Sequence, residues 1–198
     1  MKKVKVFTFV FCIFFVGCFT SRQYSKPRSE IDGFRGITWG VEVTTLEGME
    51  RVEQDKSSYR DIVWYMRKGD TLTFGKAELE NIFYSFWMGS FESVWIDFRG
   101  DDNFEMLKKE LFERFGKVLE SGELMKKTGK GPLMERSTRR QGEEELYFWE
   151  GKQTEMWLSY SKNRQKGDLS ISSKKISEER RSYEKEKEKE ERFRGRKF

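Results

Sequence analysis

Carboxylates are the one plentiful chemical resource in this sequence. It contains no histidine, which removes the commonest general base and the commonest metal ligand. Its cysteines are Cys12 and Cys18 alone. Thiol catalysis and thiolate zinc sites are therefore excluded downstream of residue 18, and a Ser-His-Asp arrangement is impossible. What remains is carboxylate acid–base work, as in glycoside hydrolysis, or a Ser-Lys dyad. Glu92, Asp97, Glu145 and Glu155 fall on candidate strands. Spacing alone places no two of them at the separation, roughly 5–9 Å, that two-carboxylate hydrolysis requires. No catalytic or metal-binding residue is assigned on these grounds. Neither G-x-G-x-x-G nor a phosphate loop is present, so no cofactor is expected.

The other constellation is aromatic. Trp87, Trp95, Trp149 and Trp157 are the candidate binding residues. Odd-numbered strand positions group them with Phe83 and Tyr147 on one expected face, with Ser85, Asp97, Arg99 and Ser159 between. Such a row stacks on sugar rings or covers a partner protein. The competing expectation is a second core layer, covered by residues 31–49 through Phe34, Ile37 and Trp39. Contiguous exposed apolar patches are rare on soluble domains, which favours the core layer.

The elements that position these residues centre on Leu79–Gly116. Leu79–Trp87 and Phe91–Arg99 alternate with period two and predict a hairpin around a Met88-Gly89-Ser90 loop. A three-residue loop opposes Ile82 with Ile96 and Tyr84 with Val94. Asp102 is the expected N-cap of the following helix, with Glu105 at capping-box spacing. Phe104, Leu107, Leu111 and Phe115 form its apolar stripe, and Gly116 stands where a terminating glycine belongs. The stripe is expected on the Ile82/Ile96 face.

Further candidate strands are 51–55, 59–67, 71–74, 117–120, 133–138 and 169–172. A second hairpin, Glu144–Glu150 with Thr154–Ser161, turns around Gly151. A short helical turn follows Thr44 or Thr45. The pattern predicts a single α+β domain over residues 31–173, an antiparallel sheet rich in hairpins with one main helix on one face.

The chain has 198 residues, 36% hydrophobic, 37% charged and 16% aromatic. Ala77 is its one alanine, a composition that favours sheet. The net charge of +5 sits at the ends. Residues 1–17 carry +3 and residues 174–198 carry +4, leaving −2 for the remainder. A basic face for nucleic acid is therefore not expected on the domain.

Met1–Lys5 is basic, and Val6–Val16 is apolar except for Thr8. Such a run is too short to span a bilayer core comfortably, so residues 1–17 read as a signal peptide. No A-x-A-like cleavage site follows. Phe15-Val16-Gly17-Cys18 resembles the lipobox of bacterial lipoproteins, although Phe15 stands where that family prefers Leu. The resemblance implies cleavage before Cys18 and acyl chains on it, hence a membrane anchor. Residues 18–30 would be the lipidated N-terminus and tether. Phe19 after the cysteine lacks the aspartate of inner-membrane retention, which favours the outer membrane where two exist. Phe34-x-Gly36-Ile37-x-Trp39-Gly40 resembles the opening of small bacterial envelope proteins of unassigned function.

Residues 174–198 mix charges of both signs at helical spacing. Ile176, Tyr183 and Phe193 are too sparse for a core stripe. A solvated helix or a disordered tail is expected, with no effect on domain stability. The expected function is a lipid-anchored envelope binding or assembly module with a protein or glycan partner. A carboxylate hydrolase is the alternative.

Overall fold

The computed structural model describes residues 30–53, 61–116, 119–120 and 144–194. The expected signal peptide, Cys18, most of the expected tether and the strand expected at 133–138 lie outside them. The chain is α+β. An eight-stranded antiparallel sheet is built from two meanders laid side by side. The first holds β3 (Met49–Arg51), β4 (Ile62–Arg67), β7 (Asn81–Trp87) and β8 (Ser90–Arg99). The second holds β9 (Leu119–Glu120), β10 (Glu144–Glu150), β11 (Thr154–Ser161) and β12 (Lys166–Ser173). They join where β12 pairs with β8. Two small hairpins, β1 (Gly33–Phe34) with β2 (Ile37–Thr38) and β5 (Thr73–Phe74) with β6 (Ala77–Glu78), lie outside the large sheet.

Helix α1 (Asp101–Phe115) carries the chain from β8, in the middle of the sheet, to β9 at its edge. That crossing passes four strand spacings, about 19 Å. Fifteen helical residues supply about 22 Å. Phe104, Leu107, Leu111 and Phe115 are all buried. Phe104 stacks on Tyr160, and the Phe98 ring lies parallel to both. Gly167 is required beneath them, because a Cβ there would collide with the Phe98 ring. The helix N-cap is Gly100 at φ 91°, not Asp102, and no side chain caps it. Asp101 and Asp102 instead occupy the first turn, where negative charge suits the helix dipole. Gly116 ends the helix as expected, at φ 84°.

The β7–β8 hairpin corrects one expectation and keeps another. Ile82 opposes Ile96 and Tyr84 opposes Val94, the expected register. The loop, however, has two residues. Met88 and Gly89 both have positive φ, the conformation of a tight I′-type hairpin turn. Trp87 opposes Ser90 and Phe86 opposes Phe91, and the register then shifts beside Ser85/Phe86. The odd residue that pattern reasoning assigned to the loop sits in the strand, at a bulge around Glu92.

Residues 31–49 do not cover the aromatic face opposite the helix. Phe34, Ile37 and Trp39 pack on the same side as α1, with Phe34 against Tyr84 and Trp39 against Phe91. One sheet face thus carries the main core. Helix α1 lies over one half, while the N-terminal segment and the β5–β6 hairpin lie over the other.

The segment after β12 also departs from expectation. Lys174–Arg194 forms helix α2, and its first turns are packed, not solvated. Ile176 is 7% exposed and Ser177 5%. Ser177 and Arg180 both donate to Glu92, which is 2% exposed. The apolar count missed this docking because the polar pairing on Glu92 supplements the sparse apolar contacts of Ile176 and Tyr183. The far end behaves as expected, with Phe193 exposed.

Candidate functional site

Backbone pairing decides which predicted tryptophans meet. Phe83 opposes Trp95 across β7–β8, Trp95 opposes Ser170 across β8–β12, and Ser170 opposes Trp157 across β12–β11. Phe148 of β10 completes the row and packs on Trp157 at 4.2 Å between ring centroids. The row lies on the face away from α1, and Trp95 and Trp157 are half-buried there. Their spacing of two strands amounts to about 10 Å.

Trp149 does not join them. It opposes Met156 and therefore faces α1. It is 4% exposed, its indole N–H donates to the Gly116 carbonyl at 3.0 Å, and its ring meets Phe112. Tyr147 sits on the same side. The reason is register. Glu150 opposes Glu155, so odd positions of β10 share a face with even positions of β11. Trp87 occupies the face away from α1 but at its end, where Tyr183 of α2 meets it edge-on at 5.8 Å.

Polar rows flank the aromatic one, since successive rows along a strand face the same way every second residue. On one side are Asn81, Asp97, Asp168 and Ser159. Trp95 Nε1 donates to Asp97, and the Ser159 hydroxyl donates to Asp168. On the other side are Ser85, Ser93, Ser172 and Glu155. Burial pushes the Glu155 carboxyl upward, and Arg181 and Lys174 oppose that only in part.

The four sequence-nominated carboxylates are dispersed. Glu92 is committed to Ser177 and Arg180. Glu145 is on the α1 side, bonded to the Tyr147 hydroxyl and paired with Lys162. Burial opposes its ionisation, but Tyr147, Lys162 and Lys108 outweigh burial and hold its carboxyl below the usual range. Asp97 does have an acidic neighbour, Asp168, one residue before the candidate strand 169–172. The signal lay in the alternation of Asp168, Ser170 and Ser172, which continues the strand backward past Leu169. Among the described residues no acidic, histidine or cysteine group is arranged to hold a metal ion, and no helix is long and apolar enough to cross a membrane.

Comparison with protein-family models, with curated proteins and with solved structures returned no match.

Proposed function

We propose that this chain is a lipid-anchored cell-envelope protein acting as a binding or assembly module. Acyl chains on Cys18 hold it to a membrane, the outer one where two exist. The part of the sheet face away from α1 that carries Trp95 and Trp157 engages an envelope glycan or protein. One observation carries the ligand side of this reading. Trp95 and Trp157 stand in one row with Ser170 between them, beside a row of carboxylates and hydroxyls. Indole faces stack on sugar rings, while the neighbouring acceptors take hydroxyl hydrogen bonds. The anchor rests on the basic start, the short apolar run and Gly17-Cys18.

A carboxylate hydrolase acting on the same glycan is the second reading. Asp97 and Asp168 oppose one another on adjacent strands, and such positions have Cα atoms about 5 Å apart.

Two measurements test these readings. Labelled fatty acid should enter the wild-type protein and not Cys18→Ser, which should also leave the membrane fraction or remain unprocessed. Equal labelling of the mutant would remove the anchor. Trp95→Ala with Trp157→Ala should abolish retention on immobilised envelope polysaccharide or capture of an envelope protein. Unchanged retention of both would remove the aromatic platform. Sugar release that is lost in Asp97→Asn would select the hydrolase.

A further inference from the structure

A groove of about 670 Å³ follows one rim of the sheet. It lies where the N-terminal segment, the β7–β8 turn, the β10–β11 turn and the start of α2 meet. Its volume is that of a small-ligand site. It is separate from the Trp95–Trp157 row and takes only Trp87 from the sequence-nominated tryptophans. Trp39, Trp87 and Ile176 give it apolar surface.

Charges of both signs line the groove, and their order follows α2. Lys175 stands at the helix start, and Lys152 stands in the β10–β11 turn that meets it. That neighbourhood is set by the Lys174 N–H, which donates to the Gln153 carbonyl at 2.8 Å. Glu178 and Glu179 stand one turn further along, in the direction of Tyr183 and its contact with Trp87. Elsewhere Arg35–Asp70, Arg99–Glu80 and Arg180–Glu92 are paired. Among the described residues the side chains of Lys152, Lys175, Glu178 and Glu179 make no hydrogen bond or ion pair.

We propose that this groove binds a small zwitterion. An amine sits at the Trp87, Glu178 and Glu179 end, and a phosphate or carboxylate sits at the Lys152 and Lys175 end. An ammonium is attracted both by an indole face and by carboxylates. Lysines supply point charges for the acid group. Asp32, also on the lining, weakens the lysine end towards a bare dianion and so favours a ligand whose charges balance.

The chain enters the domain at the same rim, where Glu30 accepts a hydrogen bond from the Gln153 N–H at 2.7 Å. With Cys18 acylated, a short tether keeps the groove close to a bilayer and its zwitterionic headgroups. This placement depends on the proposed anchor, but binding of the zwitterion does not. The ligand is therefore either a lipid headgroup or a soluble molecule of the same chemistry.

The test uses the full chain in nonionic detergent, read by tryptophan fluorescence and calorimetry. The probes are phosphoethanolamine, ethanolamine and inorganic phosphate. Phosphoethanolamine should bind saturably and at least tenfold more tightly than either half alone. Lys152→Gln with Lys175→Gln should reduce it to the affinity of ethanolamine. Glu178→Gln with Glu179→Gln should reduce it to that of phosphate. All four are exposed positions, so circular dichroism should be unchanged. Repeating the titration in nanodiscs with and without phosphatidylethanolamine identifies the source. Competition by the lipid assigns the headgroup, and its absence assigns a soluble zwitterion. No saturable binding, equal binding of the three probes, or indifference to both double variants overturns the proposal. None of these readouts depends on Cys18 acylation or on Trp95.

Discussion

Two tryptophans that look alike in sequence do different work. Trp149 is closed between the sheet and α1, with its N–H satisfied by Gly116. Trp149→Ala therefore removes a full core side chain and should cost about 3–5 kcal/mol, read by denaturant unfolding. Trp95 is half-buried on the other face, with its N–H on Asp97. Trp95→Ala should cost less than about 2 kcal/mol, because part of its indole meets water in the folded state already. An equal loss in the two variants would make Trp95 a sealed core residue and remove it as a ligand contact.

At the scale of the element, α2 is the part of the chain whose role changes most between pattern and fold. It docks through Glu92, a buried carboxylate whose Oε1 accepts from both Ser177 and Arg180. Burial works against the Arg180 charge, but Glu92 and Glu184 hold its guanidinium pKa above the usual value. Removing one member of a buried pair leaves the other uncompensated, so Arg180→Ala should destabilise the protein by about 3–5 kcal/mol. Replacing both, as Glu92→Leu with Arg180→Met, should recover most of that loss. Deleting residues 174–198 should lower the melting temperature by several degrees. An unchanged melting temperature would show that α2 rests on the sheet without stabilising it.

The whole molecule should weaken in alkali. Tyr84 and Tyr160 are buried in the main core and donate to Asp70 and Asp101. Burial first, and then the facing carboxylate, pushes both phenols up, Tyr160 to about 12. An unfolded phenol titrates near pH ~10. Above that pH the unfolded chain loses protons that the folded chain keeps, so stability falls as pH rises. Thermal unfolding should therefore show a declining melting temperature from about pH 10 upward. Tyr84→Phe with Tyr160→Phe should flatten that decline. An unaltered slope would assign alkaline instability to other groups.

Several features were legible in the sequence because they are local. Period-two alternation determined β7, β8, β10 and β11, and the i, i+3, i+7 spacing of Phe104, Leu107 and Leu111 determined the buried stripe of α1. Both patterns state which residues share a face within one element, and burial of that face enforces them. The relation between elements is another matter. It depends on turn lengths and bulges, each of which reverses the parity of everything beyond it. The Met88-Gly89 turn and the bulge at Glu92 cancel one another at Ile82/Ile96, so that register came out correctly for the wrong loop. No such cancellation acts between β10 and β11, and Trp149 was therefore assigned to the wrong face. The side covered by residues 31–49 was equally undetermined, since Phe34, Ile37 and Trp39 suit either face. The docking of α2 joins Glu92 to Arg180 across 88 positions through polar groups. Hydrophobic periodicity carries no trace of such a contact. Local pattern specifies the two long hairpins, α1 and their inner faces. Which faces meet is settled in the fold, because that choice is made by pairing between distant segments and not within any one of them.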